Sequence, residues 1–445
     1  MREDCLGKVA PASSRQFAAA EPAGSRRYGR AFAVLMALLA TVSASARDFA
    51  VTAFGAVAND DVLDTAAIQR AIDDASAAGG GRVVLAGGTF RSGALFLRQG
   101  VEFHVAADAT LLGSNRIEDY PRALTRVEGK RQEWRVALLN GVELTGVRLS
   151  GTGVVDGNGI MFWAAFWQRR KENPRCTNLE VERPRLLFLD TCRDVRIEGL
   201  TFRDSGFWNL HLYRCRDVLL DGVTVKAPDS GPIRAPSSDG LDLDSCRDVV
   251  VRRCHFSVGD DCIALKGTKG PRATEDADSP PVENILIEDC VFGEGHGVLT
   301  CGSEATVVRQ VTLRRCVVKG ANNLLSLKLR PDTPQRYEDI LIEDVELAVS
   351  AGGRLLKVQP WTQFFDLAGA EPPRSQVRNV TLRNVRGTIG GVGTLLTHAT
   401  ATIEGFTLEN IALTATDAKL ATGKDVDLTV RDVTVNGAAL ERVVK

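Results

Sequence analysis

The sequence predicts an all-β fold, a single-stranded right-handed parallel β-helix with an N-terminal capping helix. A repeated unit, its spacing and the composition of the chain carry that expectation. The unit is clearest in Cys192-Arg193-Asp194-Val195-Arg196-Ile197, Cys215-Arg216-Asp217-Val218-Leu219-Leu220 and Cys246-Arg247-Asp248-Val249-Val250-Val251. Looser copies at 284–287, 310–313, 339–342 and 379–382 keep a polar residue followed by alternating β-formers. The aligned apolar positions are 195, 218, 249, 285, 311, 340 and 380, giving steps of 23, 31, 36, 26, 29 and 40 residues. Such periods mean a solenoid or a propeller. A propeller blade needs about 40 residues and four strands, whereas a 23-residue step holds two or three short strands and their turns. A leucine-rich repeat is excluded by the absence of its leucine pattern. With 42 glycines and only 6% aromatic residues, the chain suits many short strands joined by turns.

Taken in chain order, residues 1–46 read as a secretory signal preceded by an N-terminal extension. Arg26, Arg27 and Arg30 come before an apolar run over 31–42, which ends in Ala44-Ser45-Ala46. That run is shorter than the roughly 20 residues a membrane-spanning helix needs, so a secreted or periplasmic protein is expected, with no membrane contact after cleavage. Residues 47–445 are expected to form one β-helix domain. The segment Asp64-Thr65-Ala66-Ala67-Ile68-Gln69-Arg70-Ala71-Ile72-Asp73-Asp74-Ala75 has a helical apolar stripe, and Gly79-Gly80-Gly81 ends it. Such a helix would cover the open end of the solenoid core. Large insertions at 160–184 and 267–281 are where walls could rise beside an open face. Of ten cysteines, removing Cys5 leaves nine, an odd number with no CxxC pair, and their places in the repeat suit small buried hydrophobes.

Charge narrows the partners. The chain has 55 Lys plus Arg against 56 Asp plus Glu, a net charge of −1, so no global field draws it to nucleic acid or an anionic membrane. Chemistry concentrates in Ser237-Ser238-Asp239-Gly240 and Gly259-Asp260-Asp261. Asp239 stands 21 and 22 residues before Asp260 and Asp261, about one short coil, so a β-helix would stack the three carboxylates in one patch. Glycoside hydrolysis needs one carboxylic acid and one carboxylate, and crowding like charges raises one pKa to supply the acid. An aspartate ladder that caps turns or holds calcium is the alternative reading of the same pattern. One coil further, Gly295-His296-Gly297 places an imidazole with little cover beside the acids, and Lys328 follows after another coil as a cation for a substrate carboxylate.

These residues together resemble family 28 glycoside hydrolases, the polygalacturonase family of pectin-degrading enzymes. Their Asn-Thr-Asp, Gly-Asp-Asp, Gly-His-Gly and Arg-Ile-Lys motifs appear in order as Ser237-Ser238-Asp239, Gly259-Asp260-Asp261, Gly295-His296-Gly297 and Ser326-Leu327-Lys328. The resemblance covers about residues 48 to 440, including Phe54-Gly55-Ala56-Val57 and Asp156-Gly157-Asn158-Gly159. It implies inverting hydrolysis without a cofactor or metal, with Asp260 as general acid, Asp239 and Asp261 activating water, His296 tuning the acid and Lys328 binding the galacturonate carboxylate. Ser237 and Ser238 replace Asn-Thr, and Ser326 replaces an expected Arg. On this reading Arg330, two residues beyond Lys328 and on the same strand face, compensates. Lys266 and Glu304 complete the substrate-binding set, with Trp208 or Trp361 as a sugar-stacking ring. The segments 325–332 and 359–366 look like bacterial exo-acting members, so a monomeric exo-acting hydrolase of pectic polysaccharide or oligogalacturonide is expected. A rhamnogalacturonan hydrolase of the same family, a calcium-dependent pectate lyase and a non-catalytic glycan-binding β-helix are the alternatives.

Overall fold

The computed structural model describes residues 47–349 and 352–445; the expected signal segment at 1–46 lies outside the described residues. The described chain winds into a right-handed parallel β-helix in which each strand pairs with its counterpart one coil later. All the repeat positions read from the sequence are register partners: Val195 with Val218, Val218 with Val249, Val249 with Ile285, Ile285 with Val311, Val311 with Ile340 and Ile340 with Val380. Steps of unequal length therefore come from loops between strands, not from slips of register.

The polar residue before each of these positions has a geometric cause. Asp194, Asp217, Asp248, Asn284, Gln310, Asp339 and Asn379 all have left-handed backbone, with φ between 49° and 58°. Asn and Asp tolerate that conformation better than other side chains with a Cβ. Each one turns the chain into a strand whose next residue points inward, and the alternation then buries every second side chain. Arg193–Glu198 shows it, with Val195 and Ile197 fully buried between exposed or half-buried neighbours. The inward residues form one continuous core from Phe49 to Val435. Burying each Val, Leu or Ile contributes about 1.5–3 kcal/mol against the cost of ordering the coil. All nine described cysteines are buried and unbonded. Cys192, Cys215 and Cys246 recur just before successive paired strands and behave as the small hydrophobes expected.

Helix α1 (Thr65–Ala77) closes the N-terminal end, burying Ala67, Ile68, Ala71, Ile72 and Ala75 on the core. Three further pieces stand on the outside of the coil. Helix α2 (Ile160–Glu172) seats Phe162, Trp163 and Phe166, and the Trp163 indole donates to the Ser205 carbonyl at 2.8 Å. The loop at 267–281 is tied down where the Tyr213 hydroxyl donates to the Asp278 carbonyl, 2.7 Å away. The third piece is an antiparallel hairpin, Arg122–Val127 with Lys130–Arg135, which the sequence reading did not anticipate. Its Val127 and Trp134 pack on Phe207 and Trp208, and its buried Arg126 donates to Asp244 at 2.9 Å.

Candidate active site

One face of the coil is built from seven parallel strands: β1 (Leu187–Asp190), β2 (Leu210–Tyr213), β3 (Leu241–Asp244), β4 (Ile263–Lys266), β5 (Leu299–Cys301), β6 (Asn323–Leu329) and β7 (Arg354–Pro360). The catalytic candidates sit where the chain enters β3, β4 and β5. The Gly240 amide donates to the Asp261 carbonyl at 2.9 Å and the Cys262 amide to the Gly297 carbonyl at 2.7 Å, so the Ser-Ser-Asp, Gly-Asp-Asp and Gly-His-Gly motifs lie on consecutive rungs. Gly297 is required by this stacking, because a Cβ there would lie 2.3 Å from Thr300 Oγ1 and 3.0 Å from Asp261 Oδ1.

The expected cluster forms. One carboxylate oxygen from each of Asp239, Asp260 and Asp261 lies within 4.8 Å of the others. Asp239 and Asp261 make a buried floor, 3% and 2% exposed, while Asp260 and His296 reach solvent. Each acid has its own cationic partner. Lys266 Nζ is 3.1 Å from Asp239 Oδ2, Lys328 Nζ donates to Asp261 Oδ2 at 2.8 Å, and His296 Nδ1 lies 3.1 Å from Asp260 Oδ1. Thr300 donates to the other oxygen of Asp261 at 2.8 Å. The three acids are already charge-paired with three cationic side chains, so the cluster lacks the uncompensated negative charge on which a calcium site relies.

Electrostatics divides the carboxylates differently from the sequence expectation. Burial, reinforced by the charges of Asp260 and Asp261, pushes Asp239 up to about 6 despite Lys266. Burial would raise Asp260 as well, but the hydrogen bond and charge of His296, with Lys328 and Lys266, outweigh it and hold it at about 2. The bond to Asp260 lifts His296 to about 9 against the effect of burial. Burial, with crowding behind it, therefore raises Asp239, not the residue matching the general acid, because Asp260 alone faces an imidazolium. In the unliganded protein the proton of the His296–Asp260 pair rests on the histidine.

Several predicted binding residues take other roles. Arg330 does not point into the face: its guanidinium is 1% exposed, donates to both oxygens of Asp332 at 2.8 and 2.6 Å, and donates to the carbonyls of Gln363 and Phe364. It lies just past the end of β6, where the chain turns, so the period-two rule no longer applies. Trp208 is 4% exposed, stacked on Phe207 and covered by the Lys266 ammonium 4.5 Å above its ring, leaving no face for a sugar. Glu304 is held by Lys269 at 3.0 Å and by the Ser303 hydroxyl at 2.7 Å, and Lys266 serves Asp239 and Asp242. Trp361 is half-buried beside the site, with Lys328 Nζ 5.0 Å from its ring centre.

The sequence reading missed Lys357, which is paired in register with Ser326 one rung later and places its ammonium 5.8 Å from the Trp361 ring centre. A cation thus returns one coil after the position where Ser326 removed one. The coil spacing used for the aspartates could have found it. Also missed was Glu128 at the hairpin tip. The adjoining Gly129 packs against Glu304 and accepts a hydrogen bond from Thr268 at 3.0 Å, and burial and the charge of Glu304 raise the Glu128 carboxyl above its ordinary range.

The solenoid face thus gathers acids, an imidazole and lysines on consecutive rungs. Residues 103–436 match the model for Glycosyl hydrolases family 28, well over half of the chain, and the protein belongs to that family. It is 29% identical over 257 residues to a probable polygalacturonase of Vitis vinifera, covering 55% of this chain and 48% of that one. It is 23% identical over 259 residues to an exopolygalacturonase of Platanus acerifolia, covering 56% and 61%. The chain spans about half the length of the curated relatives it matches. Among solved structures it superposes on an exopolygalacturonase from Thermotoga maritima with TM-score 0.76 at 23% identity, covering 88% of this chain and 92% of that one. A family 28 exopolygalacturonase of Yersinia enterocolitica gives 0.70 at 21%, covering 91% and 79%. Likeness at these identities bears on the fold.

Proposed function

We propose that the protein hydrolyses galacturonate linkages in pectic chains, with inversion and from a chain end. The observation that carries this reading is the division of the cluster into a buried pair, Asp239 and Asp261, and an open pair, Asp260 and His296. Water held between Asp239 and Asp261 gives up a proton to Asp239 as it attacks the anomeric carbon. Asp260, ionised at rest, takes the His296 proton across their 3.1 Å contact and passes it to the departing oxygen. The carboxylate separation is shorter than the roughly 6.5–9.5 Å usual for inverting sites. Inversion therefore rests on the family resemblance and on two carboxylates sharing one water. Proton NMR of the first-formed anomer tests it, and retention would overturn it.

Exo action is supported by the hairpin. It covers the face over β1 to β3, where Arg126 reaches Asp244 and Arg131 reaches Asp190, and it meets the loop at 267–281 at Thr268. On this reading the hairpin closes the face on the Asp239 side, and the face continues on the Lys328 side, where β6 pairs with β7. The terminal sugar would occupy the closed side and the leaving chain the open one. Incubation with polygalacturonate, rhamnogalacturonan and oligogalacturonides, with chromatography of the products, tests this. Galacturonate monomer is expected; a ladder of oligomers would exclude exo action, cleavage of rhamnogalacturonan alone would exclude the substrate, and unsaturated products would exclude hydrolysis.

We also propose that the protein works outside the cytoplasm as a monomer, exported by the 1–46 segment. Mass spectrometry of the exported protein should then find Arg47 at its N-terminus.

A further inference from the structure

We infer that Asp242, which the proposed reaction does not use, keeps a proton and donates it in a hydrogen bond to Asp239, so that the two carboxyls act as one pair in activating water. This role rests on the proposed hydrolysis of galacturonate chains, in which Asp239 takes the proton of water. Asp242 lies on β3 between Leu241 and Leu243, whose side chains enter the core, so its own side chain points out of the coil on the side of the site. It is nevertheless fully buried, and among the described residues neither of its carboxylate oxygens receives a hydrogen bond.

The elements packed around Asp242 leave it in that state. Its register partner on β4 is Ala264, which has nothing to donate, and its partner on β2 is His211. Arg185 donates to His211 Nδ1 at 2.7 Å, so the imidazole proton sits on Nε2, which stands 3.5 Å from Asp244 Oδ2. Arg185 is otherwise committed to the Arg126 carbonyl and the Thr125 hydroxyl, and Asp244 is paired with Arg126. Lys266 is the cation at hand. Its Nζ is 3.4 Å from Asp242 Oδ1 without hydrogen-bonding it, 3.1 Å from Asp239 Oδ2 and 4.0 Å from Glu304. One ammonium between two buried acids, drawn also to Glu304, cannot hold both ionised, and a buried carboxyl without a donor keeps its proton. Burial and the charge of Asp239 raise Asp242 well above the ordinary carboxylate range against Lys266, and the neutral carboxyl has Asp239 as its acceptor. The step near 6 then belongs to the pair: above it Asp239 is ionised and fixed by the Asp242 O–H, and below it both are protonated and no base is left. In turnover the proton of water goes to Asp239, its oxygen bonds to the anomeric carbon, and the Asp242 proton stays in place.

The test separates a proton donor from a space-filling side chain. Asp242→Leu removes the bond that favours the Asp239 anion, and should move the acid limb of kcat/KM up by about one pH unit and lower kcat by about 10-fold. Asp242→Asn puts an N–H where the O–H stood, and should return the limb to near its wild-type position. An identical limb in all three proteins overturns the role, and so does a limb that Asn shifts as far as Leu. Infrared difference spectra of the folded protein at neutral pH supply a second readout: the wild type should show the carbonyl stretch of a buried protonated carboxylic acid that Asp242→Asn lacks. No such difference means that Asp242 is ionised and the role is wrong, whatever the hydrolase does. The band with no cleavage of any galacturonide would overturn the hydrolase reading, and with it the part in activating water, while the shared proton stands.

Discussion

At the residue scale, one histidine decides how the acids share their protons. Replacing His296 by Gln removes the partner that holds Asp260 ionised and supplies its proton, and should lower kcat by about 100-fold; Asp260→Asn should cost about 1000-fold or more, both with unchanged circular dichroism. The pH profile has a worked sign. On the proposed mechanism Asp239 must be ionised to take a proton from water, so activity should rise as pH climbs through about 6. On the same mechanism His296 must be protonated, so activity should fall through about 9. A bell-shaped kcat/KM is therefore expected, and His296→Gln should lose its alkaline limb; an unchanged limb would show that the proton comes from elsewhere. Stability follows the same groups. The lowered Asp260 stabilises above its unfolded value of 3.8, and that contribution disappears as pH falls toward 2. The raised His296 stabilises below 6.5 and loses its contribution as pH rises toward 9. Asp239 has the opposite sign and costs stability as pH rises from 3.8 through 6.

At the scale of elements, the hairpin is the proposed wall at one end of the face. It is anchored by a buried charge pair, Arg126 with Asp244, which His211 approaches at 3.5 Å and Arg185 supports by donating to the Arg126 carbonyl at 2.7 Å. Arg126→Ala leaves Asp244 buried without its cation, a loss of about 3–5 kcal/mol. Urea melts should show the destabilisation. The more telling variant keeps Arg126 and shortens the hairpin only at its tip, deleting Glu128 and Gly129. Its products should change from monomer to a mixture of oligomers, and a wall made by helix α2 alone would leave the products unaltered. The insertions at 160–184 and 267–281 were visible as breaks in the period. The hairpin was not, because it precedes the clear repeats and its short alternating strands resemble those of the coil.

At the scale of the molecule, stability comes from stacking coils on one core, with each rung touching only its neighbours. Ile287 is fully buried and paired with Val251 and Leu313. Ile287→Ala should cost about 2–5 kcal/mol in a denaturant melt, with the effect felt through the rungs next to the site. The same stacking explains what could be read in advance. The sequence by itself determined the coil, its register and the meeting of Asp239, Asp260, Asp261 and His296, because a period in the chain becomes a column in space whenever strands pair in parallel. Left-handed turns at Asp and Asn recorded that period residue by residue. Tertiary structure alone decided which acid is raised, that Arg330 turns inward to Asp332, that Trp208 is covered, and that a hairpin packs beside the face. Those outcomes depend on side chains brought together from distant coils and on a hairpin folded over them, and no local spacing encodes such contacts.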